Sequence, residues 1–85
     1  MLPREDVFVV YSTIENYPKP VTRSDLYLLL ESNYTKDQIN WAVGTMLVQG
    51  ILKKGVHLTS DKTKGEPQLT PQKEFSEFVG MEQAK

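Results

Sequence analysis

The residues in this chain with the most to offer chemically are cations. Lys53, Lys54, Lys62 and Lys64 lie between positions 50 and 65 against a single acid, Asp61, so this stretch carries +3 in a chain of formal net charge −1. The segments on either side, 1–34 and 66–85, each sum to −2. Ammonium groups gathered in this way can hold phosphates and release their counterions, although a lysine-bearing loop is as often only a solvated loop. Upstream, Lys36, Gln38, Asn40 and Thr45 fall on one stretch. Asn and Gln amides can make paired hydrogen bonds to adenine edges, and a Thr methyl can meet a thymine methyl. Lys36 and Arg23 suit phosphates. The stretch has no arginine and carries Asp37, so it lacks the commonest specific base contact, arginine to guanine.

Catalysis finds little support. His57 is the only histidine and neighbours the lysines, and no nucleophile and base stand at a recognisable spacing. There is no glycine-rich phosphate loop and no cluster of metal ligands. The chain has no cysteine, which excludes disulfides and thiolate zinc sites. A non-enzymatic protein without metal or cofactor is expected. No run of about 18 apolar residues occurs, and no basic-then-apolar leader pattern opens the chain, so the expectation is a cytoplasmic protein that does not engage a membrane.

The elements that must position these residues can be read from periodicity. At 85 residues, 39 % apolar and 25 % charged, the chain suits one small globular domain over 1–85. Ile39, Ala42, Val43, Met46 and Leu47 follow helical spacing, with Thr35 and Gln38 set as a capping box and Gly50 as the stop; this predicts a helix over 36–49. Val7, Val10, Tyr11 and Ile14 predict a helix over 4–16, although the β-branched run at 7–10 has strand propensity. Leu26, Leu29 and Leu30, with Thr22 or Ser24 as cap, predict a helix over 23–32. Ile51–Thr59 and Gln68–Thr70 have strand character around a polar loop, a hairpin over 51–70. Thr70-Pro71, followed by Phe75, Phe78 and Val79, predicts a last helix over 71–80. The fold class expected is α+β, mainly α.

On the outer face of the 36–49 helix, Trp41 and Val48 flank Gly44, an apolar strip of the kind that marks protein interfaces. Leu28 also lies outside its helix's buried stripe. The plain alternative is that Trp41 is covered by a neighbouring helix.

Val21-Thr22-Arg23-Ser24-Asp25-Leu26 followed by Leu47-Val48-Gln49-Gly50-Ile51-Leu52-Lys53-Lys54 resembles the helix-turn-helix and wing of winged-helix proteins. Leu69-Thr70-Pro71-Gln72-Lys73-Glu74-Phe75 is similar to the wing exit of small bacterial and phage regulators, with Lys73 where a glycine is usual. The resemblance covers about residues 5–80. It implies a three-helix core, a hairpin wing and a C-terminal helix, and a dimeric transcriptional regulator of double-stranded DNA. It further implies that the third helix enters a groove with Gln38, Asn40 and Thr45, while Arg23, Lys36, Lys53, Lys54, Lys62 and Lys64 meet phosphates. The other reading is a protein-interaction module that docks a partner, or a second copy, through Trp41, Val48 and Leu28.

Overall fold

The computed structural model describes residues 2–18, 20–55 and 67–79. Lys62, Lys64 and His57, with the expected tip of the hairpin, lie outside the described residues. The described residues are α+β and mainly helical, with three α-helices and a two-stranded antiparallel sheet.

Helix α1 runs Arg4–Asn16 behind an extended Pro3, with Glu5 and Asp6 in its first turn, where acidic groups favour the dipole. Its β-branched run is helical because Val7, Val10, Tyr11 and Ile14 all reach the core from one face. Helix α2 runs Arg23–Leu30. Thr22 caps it: the hydroxyl accepts from Asp25 N, and the Asp25 carboxylate accepts from Thr22 N. Helix α3 runs Lys36–Val48 behind the reciprocal box of Thr35 and Gln38. Its buried stripe is Ile39, Ala42, Val43 and Met46. Ile39, Val43 and Met46 each contribute roughly 1.5–3 kcal/mol when fully buried, and the smaller Ala42 less.

The end of α3 is what turns the chain from helix to strand. Gly50 has φ +77°. Its N–H donates to Leu47 O at 3.1 Å and the Ile51 N–H to Met46 O at 2.9 Å, the paired bonds of a Schellman stop. Strand β1, Leu52–Gly55, then pairs antiparallel with β2, Gln68–Pro71, in the register Leu52↔Pro71, Lys53↔Thr70, Lys54↔Leu69, Gly55↔Gln68. Val21, just before α2, adds a single bridge on the far side of β2, where Leu69 N donates to Val21 O at 2.8 Å. This bridge fixes the first turn of α2 beside the hairpin.

Three expectations are corrected. The helix expected over 71–80 does not form. Pro71 ends β2, and among the described residues the only helical turn after it is a 3₁₀ turn, Phe75–Glu77. Bonds from elsewhere hold this segment instead. Gln72 N and Lys73 N both donate to Ile51 O, Tyr11 OH donates to Lys73 O at 3.0 Å, and the Arg4 guanidinium donates to the carbonyls of Phe75 and Phe78. That guanidinium also lies over both rings, 5.0 and 5.7 Å from their centroids. A helix there would need these carbonyls for its own ladder. Second, α2 stops at Leu30, two residues short of expectation, and residues 31–33 form a turn. Third, Leu29 is 46 % exposed, because Leu26 and Leu30, one turn apart, take the buried positions of so short a helix.

Candidate nucleic-acid interface

Two pairs of residues, each one turn apart, bring α2 and α3 together at the surface. Arg23 and Tyr27 share a face of α2; Lys36 and Asn40 share a face of α3. Arg23 Nη1 donates to Asn40 Oδ1 at 2.9 Å, and Tyr27 OH donates to the same oxygen at 2.9 Å. The Lys36 ammonium sits 5.6 Å from the centroid of the Tyr27 ring, within cation–π range. Guanidinium can only donate, so the atom it meets must be the amide oxygen, and the network itself assigns the amide's orientation.

The array continues to the hairpin. Lys54 stands opposite Leu69 in the register, so both project from the same face of the sheet. There Arg23, Lys54, Pro67 and Leu69 line one cavity of about 240 Å³. Two cations are thus brought to a single concavity, and the acid nearest in sequence to Arg23, Asp25, has its carboxylate engaged in the α2 cap. Lys53, exposed, alternates to the other face of β1. Lys36, Arg23 and Lys54 therefore form a cationic edge that runs from the start of α3, across the start of α2, to the sheet. Asp37, exposed in the first turn of α3, is the opposing charge at one end.

The outer face of α3 is different in character. Asn40, Trp41, Gly44, Thr45, Val48 and Gln49 line an open groove of about 440 Å³. Val48 is 89 % exposed. Trp41 is half-buried and packs against the core from its edge, so it is not wholly an outward residue. At the groove's end, Gln49 makes a two-way bond with the backbone of Val79: Nε2 donates to Val79 O and Val79 N donates to Oε1, both at 2.8 Å.

The residues singled out from the sequence therefore separate. Arg23, Lys36, Asn40 and Lys54 belong to one connected array, with Asn40 and Thr45 also on the groove. Gln38 is spent largely on the α3 cap, its Oε1 accepting from Thr35 N at 2.9 Å, which removes the two-sided amide expected of a base reader. Asn40 likewise has its oxygen occupied, so the paired adenine contact expected of it is not available in this arrangement. Trp41 and Val48 share a groove. Leu28, 70 % exposed, does not join them; it lines a separate groove of about 510 Å³ between α2 and α3 with Tyr27, Tyr34 and Lys36.

Tyr27 and Gln49 are additions that sequence reading passed over. Tyr27 could have been found from its spacing of four from Arg23. Gln49 could not, because its partner is thirty residues away. Tyr34, in the turn between α2 and α3, is anchored to α1 by donation from its hydroxyl to Asp6 Oδ1 at 2.7 Å. That bond first, and then burial and the Asp6 charge, raise the Tyr34 pKa above its ordinary value. Burial, with the charges of Glu15 and Glu74, raises that of Tyr11.

Among the described residues no group of three or more His, Cys, Asp and Glu is placed to hold a metal ion, and no helix is long and apolar enough to cross a membrane. Comparison with protein-family models, with curated proteins and with solved structures finds no match for this chain.

Proposed function

We propose that this chain is a winged-helix DNA-binding protein that acts as a transcriptional regulator, with α3 in a groove of duplex DNA and β1–β2 as the base of the wing. The observation that carries the reading is the cationic edge: Arg23 and Lys54 share one cavity, and Arg23 is joined through Asn40 and Tyr27 to Lys36. Like charges held together repel one another unless an anion lies between them, and a phosphate backbone supplies anions at regular spacing. The order helix, bridge, helix, helix, hairpin supports the winged-helix assignment, with Val21 bridging β2 as the first strand position. In this mechanism Arg23, Lys36, Lys53 and Lys54 set the register of the protein on the duplex, and Asn40 and Thr45 face base edges. Lys62 and Lys64 would add phosphate contacts from the wing. A dimer would read two half-sites.

Fluorescence anisotropy with a labelled random-sequence duplex tests this. Binding at low salt is expected, weakened by Lys54→Glu and by Lys62→Glu/Lys64→Glu. No binding at low salt would end the DNA reading.

The groove on α3 favours a second reading, in which a protein partner or a second copy docks on Trp41, Gly44 and Val48. Because Trp41 also packs on the core, Val48→Ser is the cleaner probe. Val48 is 89 % exposed, so this change should leave the fold intact, and it adds no charge; DNA binding should be nearly unchanged, whereas docking through the groove should be lost.

A further inference from the structure

The hydrogen-bond network around Asn40 has a consequence for which base it can meet. Asn40 is exposed on α3, one turn in from Lys36. Its Oδ1 receives two donors, Arg23 Nη1 and Tyr27 OH, both at 2.9 Å. An amide oxygen has two lone pairs, so these two bonds use its acceptor capacity. No described residue accepts from its Nδ2. Rotation of the amide by half a turn would face an NH₂ toward the guanidinium, donor against donor, and the array would lose the Arg23 bond, although the Tyr27 hydroxyl could turn to accept. The side chain is therefore fixed with its amine outward and presents donors only.

We infer that Asn40 is a donor-only specificity residue that selects an acceptor edge, guanine before the other bases. This rests on the proposed DNA reading and sharpens it. A free asparagine favours adenine because it both accepts from N6 and donates to N7; guanine offers two acceptors, N7 and O6, and no donor in the major groove. With its oxygen taken, Asn40 can still donate to adenine N7 but meets the N6 amine with its own amine, which is repulsive, whereas it meets either acceptor of guanine favourably. Adenine N7 and thymine O4 are single acceptors, so both rank below guanine, and cytosine, which offers only a donor, ranks last. The Arg23–Tyr27 pair is thus a positioning device: it converts an adenine-reading residue into a guanine-reading one without arginine on α3.

The test begins with selection of a preferred site from random duplexes, followed by affinity measurement with all four bases at each position. Wild type should show one position at which guanine is preferred over adenine by about five- to tenfold, the scale of one directed hydrogen bond. Asn40→Ala should flatten that position alone. Asn40→Asp keeps the oxygen that Arg23 and Tyr27 need but turns an acceptor outward, and should move the preference to cytosine. If Asn40→Ala melts early, Asn40→Asp still decides the matter. In Arg23→Met/Tyr27→Phe the amide is free to turn, and overall affinity should fall while adenine becomes tolerated at that position. A wild-type preference for adenine there, or no position that responds to Asn40, would overturn the inference while the DNA reading stands. Absence of duplex binding at low salt would overturn both.

Discussion

Gly44 and Gly50 lie six residues apart on and just after α3, and replacement of each by alanine should change stability in opposite directions. Gly44 is inside the helix, and a methyl group there would meet no atom within 4 Å. The substitution restricts the unfolded chain and improves helix propensity, a gain of about 0.5–1 kcal/mol. Gly50 has φ +77°. A Cβ there would lie 3.6 Å from Gln72 Nε2 and 3.8 Å from Lys73 Nζ, ordinary contacts, so crowding is not the issue. The left-handed backbone alone costs an alanine about 1–2 kcal/mol. The smaller entropy of the unfolded chain offsets about 0.4–1 kcal/mol of this. The net loss is roughly 0.5–1 kcal/mol. In a domain of this size 1 kcal/mol moves Tm by about 4–8 °C. Circular-dichroism melts of the two variants should therefore bracket wild type, Gly44→Ala above and Gly50→Ala below. A Gly50→Ala protein that melts at or above Gly44→Ala would refute the Schellman stop at Gly50 and, with it, the argument for how α3 turns into β1.

Other consequences concern the C-terminal segment and alkaline pH. Arg4→Ala removes the charged donor to the Phe75 and Phe78 carbonyls together with its ring contacts; urea denaturation should show a loss of about 1.5–3 kcal/mol, and a change within error would mean that the segment is held by ring packing alone. Tyr34 has its pKa raised in the fold by donation to Asp6, so its contribution is fully present below the unfolded value near 10 and disappears as pH rises through the higher folded value. Wild type should lose stability above about pH 10, and Tyr34→Phe should lose less over that range; identical slopes would contradict the Tyr34–Asp6 bond. Tyr11, also raised, adds a loss of the same sign.

How far the fold was legible depends on how local its causes are. The Thr35–Gln38 box, the apolar stripe of α3 and the stop at Gly50 are set by residues within one turn of each other, and all can be read from spacing. The C-terminal segment was misread for the opposite reason. Thr70-Pro71 is a sound local helix start, but Thr70 is needed opposite Lys53 in the sheet and the following carbonyls are taken by Arg4 and Tyr11, more than sixty residues away. Val21 gives no strand signal because its strand is one residue long. In the candidate interface, residue types were legible but their state was not. Asn40 reads as a two-sided amide until Arg23 and Tyr27 are found on its oxygen, and Gln38 was legible as both cap and base reader, roles that one amide oxygen cannot serve together. Trp41 turned out to serve the core edge and the groove at once, a division that helical phase alone does not resolve.

The central claim is that the edge formed by Lys36, Arg23 and Lys54 engages phosphates. Its most direct measurement is the slope of log affinity against log salt for a duplex of fixed sequence. With about four phosphate contacts the slope should be near −3 to −4, and Lys54→Ala should make it shallower by about one unit. A slope near zero, or one that Lys54→Ala leaves unchanged, would contradict the account.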